Sequence, residues 1–118
     1  MRVIKRLSEQ ILDEVEGVED YAKDALTWRG TDDKLSRTYH ELAEAEYGHV
    51  QRLHDEVVRK VAEARESGVE VPQSMLDAWD ERHKAIIERM HSARMFLDMW
   101  QVSRDAVAGN RRAGDSGA

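Results

Sequence analysis

Apolar residues recur at three- and four-residue steps along three long stretches of the chain, the spacing of helices with one buried face. In the first, Ile4, Leu7, Ile11, Val15, Val18, Ala22 and Ala25 fall in line, with Tyr21 and Trp28 on one edge. This predicts a helix from about Val3 to Trp28. Gly30, Thr31, Asp32 and Asp33 then supply a C-terminal glycine and N-cap residues. The second stretch, Leu35, Tyr39, Leu42, Glu46, Val50, Leu53, Val57 and Val61, predicts a helix from about Asp33 to Ser67, ended by Gly68. Pro72 stands at or near the first turn of a third helix, whose stripe is Leu76, Trp79, His83, Ile86, Met90, Ala93, Leu97 and Trp100. That helix is expected to fray around Ala108. Residues 109–118 carry no apolar anchor and read as a disordered tail after a single domain, 1–108.

One position breaks the pattern. Glu46 falls within the apolar stripe of the second helix, where a carboxylate needs a charge partner or a metal. His49 lies three residues on, so the two side chains project side by side. Glu46-x-x-His49 is therefore a candidate metal half-site, and a carboxylate with an imidazole suits iron or manganese.

Short connections make the helices antiparallel neighbours, so residues can be matched by height. By that count Glu14 is level with Glu46, and so is Arg94 on the third helix. Glu16 points away from the first stripe, and Glu19 lies on its far edge, off the level of Glu46. Glu14 is the choice for a second carboxylate, with the Tyr21 hydroxyl two turns on as a donor that orients it.

Composition narrows the field. The 118 residues suffice for one domain, and the single proline and wealth of helix formers give an all-α class. The net charge of −6 argues against nucleic acid as a partner. Without cysteine there are no disulfides, zinc-thiolate sites or iron–sulfur clusters. No apolar run is long enough to span a bilayer, so no membrane partner is expected. Arg2, Lys5 and Arg6 are not followed by a continuous apolar segment, so no secretory signal is read and a cytoplasmic setting is the default.

Glu14, Tyr21 seven residues later, and Glu46-x-x-His49 on the next helix resemble the ferritin-like superfamily, including rubrerythrins and ferritins. The run from Asp13 to Tyr21 looks particularly like the encapsulated ferritins. The resemblance covers residues 4–60. It implies a truncated ferritin-like bundle that completes a di-iron site across a homodimer or a ring of dimers. It also implies Fe(II) oxidation by O2 or peroxide, a ferroxidase activity. Glu14, Glu46 and His49 match the iron ligands, one carboxylate bridging the metals, while Asp13 and Glu16 match an acidic approach site beside them. The tail lacks the apolar motif by which encapsulated ferritins dock to their shell, so the resemblance does not extend to a shell partner.

Other residues have plainer readings. A non-enzymatic structural or assembly module would bury Glu46 against Arg94 as an ion pair. A metal-binding protein without redox turnover would use the same ligands. His83, with Asp80 three residues before it and His54 within about one turn of its height, reads as a core histidine with a local hydrogen bond; a second metal or proton site is the alternative. Glu88 and His91 read as surface, and Met75, Met90, Met95 and Met99 as packing.

Overall fold

The computed structural model describes the backbone of residues 2–116 and the side chains of residues 2–105. The chain forms three helices and, among the described residues, no strand: α1 (Arg2–Trp28), α2 (Asp33–Glu66) and α3 (Gln73–Ser116). The first two have the predicted bounds almost to the residue. Their ends follow local chemistry. Asp32 caps α2 by accepting the Leu35 N–H at 3.1 Å, and the Gly30 N–H donates to the Asp33 side chain at 2.8 Å. Gly30 and Gly68 have φ of +85° and +75°, left-handed conformations that a side chain would oppose. They turn the chain after α1 and α2. Pro72 precedes α3, and its carbonyl accepts the N–H groups of Met75 and Leu76.

α3 continues to Ser116 and does not end near Ala108. The expected tail is helical over 109–116, because Arg111, Arg112 and Ala113 are good helix formers. Each glycine there costs only about 1 kcal/mol relative to alanine, too little to force a stop. Residues 117 and 118 lie outside the described residues. The molecule measures 72 × 21 × 19 Å, its long axis set by the 44 residues of α3.

Buried positions alternate strictly in steps of three and four. On α1 they are Ile4, Ser8, Ile11, Val15, Val18, Ala22 and Ala25; on α3 they are Ile86, Met90, Ala93, Leu97 and Trp100. This is the heptad spacing of helices packed side by side in a shallow supercoil. The alanines let backbones approach closely.

On α2 the buried residues are Ser36, His40, Ala43, Val50, Val57 and Ala64; Val50 and Val57 lie on the expected stripe, whereas before them the line is turned by one residue, with Ser36, His40 and Ala43 in place of Leu35, Tyr39 and Leu42. Leu42 is 40% exposed, whereas Ser36 is 1% exposed. Ser36 is tolerated because its hydroxyl has partners, whereas the buried His40 Nε2 has no hydrogen-bond partner among the described residues. The Ser36 hydroxyl donates to the Ala25 carbonyl of α1 and accepts the Trp100 indole N–H of α3 at 2.8 Å. The His40 ring stacks on Trp100 with centroids 4.0 Å apart. Ser36 thus ties all three helices at one level.

Ser36→Ala leaves the buried Trp100 N–H without an acceptor, and stability should fall by about 1–3 kcal/mol. Urea denaturation checks this, with Ser36→Ala/Trp100→Phe recovering part of the loss. A Ser36→Ala protein as stable as wild type would remove the tie from the account of the fold.

Candidate metal centre

Contacts between α1 and α2 descend on one helix as they ascend on the other. Ala25 meets Ser36, Tyr21 meets Tyr39, and Glu14 meets His49. The last of these brings the ligand candidates together. The His49 Nδ1 is 3.6 Å from a Glu14 carboxylate oxygen and 3.9 Å from one of Glu46. One potential ligand atom from each of the three residues lies within 4.8 Å of the others, and among the described residues no other such group of three or more exists. The separations exceed those of hydrogen bonds. They approach the roughly 3–4 Å between donors that share one first-row metal at about 2.1 Å.

Glu46 is not in the centre of a buried face as expected. Its side chain is 25% exposed, that of Glu14 30% and that of His49 50%. All three lie on one edge of the α1–α2 pair, because the core line of α2 is turned away from Glu46. Beside them a shallow depression opens to solvent, lined by Glu14, His49, Arg52 and Leu53.

A scan against protein-family models and searches of curated proteins and solved structures find no match to this chain. The chemistry of the site therefore rests on its own residues.

The electrostatics separate these two glutamates from their neighbours. Glu19, on α1, is held by Arg89 of α3, with one hydrogen bond of 3.1 Å, and that arginine draws the Glu19 pKa below its ordinary value against the opposing effect of burial. Glu44, on α2, takes Arg94 of α3 at 2.8 Å, and its pKa is lowered in the same way. Arg94 also binds Asp98 at 3.0 Å and lies over the Tyr47 ring. The Glu46–Arg94 pair of the alternative reading is thus not formed. Height alone matched Arg94 to Glu46, but Glu44 and Glu46 point about 200° apart around α2, and α3 packs on the Glu44 side. Glu14 and Glu46 have no arginine or lysine partner among the described residues; His49 is the one basic side chain within ion-pair distance.

Tyr21 stacks on Tyr39 with ring centroids 6.1 Å apart. No hydrogen bond joins its hydroxyl to Glu14 or Glu46 among the described residues, so the structure shows it packing rather than orienting a carboxylate. Asp13 and Glu16 are exposed on α1 and outside the ligand group. One neighbour was not legible as part of the site. A Cβ built on Gly17 would stand 3.3 Å from a Glu46 carboxylate oxygen. The available signal was a glycine inside a strong helical pattern, one turn beyond Glu14. The structure offers no reason for Gly48, which would meet nothing within 4 Å.

A second cluster lies on the other side of α2. His54 and His83 stack with centroids 4.8 Å apart, and Trp79 stacks on His83 at 5.3 Å. The rings border a groove floored by Ile11, Val50 and Ile86. The expected proximity is observed, and His54 Nδ1 lies 3.4 Å from Asp55. Burial, then the charge of His54, lowers the His83 pKa from 6.5, against a smaller pull from Asp80. A histidine whose folded-state pKa is depressed contributes its full stability above the unfolded value and loses it as pH falls toward the folded value. The melting temperature should therefore decline as pH drops below 6.5. That decline should shrink in His83→Gln, and an identical decline in the variant would refute the assignment.

Proposed function

We propose that this chain is a ferritin-like di-iron carboxylate protein, a truncated helical bundle that binds Fe(II) and oxidises it with O2 or peroxide. The carrying observation is the convergence of Glu14, Glu46 and His49 on an open edge, with two half-buried carboxylates left without an arginine while their neighbours on the same helices each have one. A cation is what such a pair lacks. Two hard oxygens and one imidazole nitrogen fit iron, and manganese as well.

Fe(II) is the substrate, and its electrons pass to O2 or peroxide. Glu14 and Glu46 would supply oxygen ligands, and their negative charge favours the ferric over the ferrous state. His49 would supply nitrogen at the solvent side. The surrounding edge gives small oxidants access without a conformational change.

A full di-iron carboxylate centre of this type takes four carboxylates and two histidines. One chain gives half that set, and α3 contributes no ligand. We propose that a second copy related by a two-fold axis supplies the rest. Tyr39, Leu42 and Leu53 lie on α2 near the ligands, and the contact would cover them. Val50, which also fell on the expected contact face, is instead 4% exposed in the core. A structural module built on a Glu46–Arg94 pair has lost that pair to Glu44. Fe(II) added in air tests the proposal: ferric absorbance rising no faster than in buffer would sink it.

A further inference from the structure

We infer that Gly17 is a positioning residue for the metal centre, a bare stretch of α1 backbone on which the Glu46 carboxylate is seated. The inference rests on the metal reading of Glu14, Glu46 and His49. A Cβ at position 17 would meet three atoms of Glu46, the carboxylate oxygen Oε2 at 3.3 Å, Cδ at 3.5 Å and Cγ at 3.6 Å. The other oxygen, Oε1, is the one that lies 3.9 Å from His49 Nδ1. The two oxygens thus have different roles. One rests against α1 and the other faces the ligand group. Gly17 is one turn from Glu14 on the same helix, so the seat brings the α2 carboxylate alongside the α1 carboxylate.

Glycine is a poor choice for a helix interior on propensity alone, since it gives up the most backbone freedom on folding. Gly48 shows that a helical glycine in this chain need not touch anything, because a Cβ there would meet no atom within 4 Å. At position 17 a Cβ would press on the end of the Glu46 side chain, with its closest contact, 3.3 Å, tighter than side chains normally make. A methyl group there would make the carboxylate move by a few tenths of an ångström, and ligand placement at that scale governs affinity.

The experiment compares wild type, Gly17→Ala, Glu46→Ala and the double variant, each by thermal melting without metal and by Mn(II) titration followed by electron paramagnetic resonance. In the Glu46→Ala background, Gly17→Ala should raise the melting temperature by about 4 °C, the ordinary gain from glycine to alanine in a helix. In wild type the gain should be mostly lost, because the displaced carboxylate opposes it. Mn(II) affinity should fall about tenfold in Gly17→Ala, the scale of losing a ligand's outer support. A general weakening of the fold would lower both readings, whereas displacement of the ligand lowers affinity without lowering stability. Equal melting gains in the two backgrounds would overturn the seat. If the melting gains differ but wild type binds neither Mn(II) nor Fe(II), the metal reading falls and the seat of Glu46 on Gly17 stands. Coupled melting gains with Mn(II) affinity unchanged in Gly17→Ala would refute the positioning role.

Discussion

Glu46→Ala should bring Fe(II) oxidation down to the rate of buffer, a loss of at least about a hundredfold, since outer-shell partners alone govern ten- to hundredfold effects. Glu46 is the ligand candidate for which no neighbour can substitute. Glu44 is committed to Arg94, and Glu14 is already in the group. His49→Ala should also be slow, because it removes the only nitrogen donor of the set. Two controls give the experiment its resolution. Glu44→Ala and Glu19→Ala remove half-buried glutamates from the same helices, but ones held by arginines, and both should keep the wild-type rate once shown by circular dichroism to be folded. Ferric absorbance after anaerobic loading and exposure to air measures all five proteins. A Glu46→Ala protein as fast as wild type would end the catalytic reading. Equal losses in all the glutamate variants would show a general dependence on surface charge in place of a site.

The second large effect is on assembly. If two chains complete one centre, metal and dimer are linked: iron or manganese that binds the dimer and not the monomer must tighten the dimer in proportion. Sedimentation at several protein concentrations should show dimer at lower concentration with Mn(II) than without it, and the shift should vanish in Glu46→Ala. At metal concentrations a hundred times the dissociation constant, a single linked site is worth about 2.7 kcal/mol, close to a hundredfold in the dimer constant. Metal content should be one ion per chain, two per dimer. Leu42→Glu, placed on the exposed edge beside the ligands, should weaken the dimer without unfolding the chain. A monomer that binds two irons with full activity would refute the shared centre.

Much of this arrangement was legible in the sequence because helices record their buried faces as a period. The stripe on α1 and the buried part of the stripe on α3 are those that the apolar residues mark. The first half of α2 was read one residue out of phase, whereas Val50 and Val57 are buried as expected. Leu42 and Tyr39 outrank Ser36 and His40 in hydrophobicity, yet Ser36 and His40 are the buried ones, since partners on α1 and α3 satisfy or stack against them. Partners on other helices are not visible in a local pattern. The same limit explains Arg94: loop lengths fix height along the bundle, but the azimuth that decides between Glu44 and Glu46 depends on which flank of α2 receives α3. The proximity of Glu14, Glu46 and His49 is independent of both errors. It depends on the height match between α1 and α2 and on the three-residue step from Glu46 to His49, and both are set by short-range geometry. Gly17 left no comparable mark, because what it does depends on an absent atom.

Glu46 and His49 belong to α2 and Glu14 to α1, so the ligand candidates fall within the first 49 positions of a 118-residue chain. Synthesis runs from the N-terminus, and local pairs of helices form ahead of distant ones. The hairpin that brings the ligands together is therefore made while α3, the helix bearing Arg89, Arg94 and Trp100, is still unmade. During that interval Glu19 and Glu44 are without their arginines and stand as open as Glu14 and Glu46. Arrival of α3 pairs two of the four carboxylates with arginines, so under the proposed metal reading the docking of the last helix, rather than the formation of the hairpin, would leave Glu14 and Glu46 as the pair open to a cation.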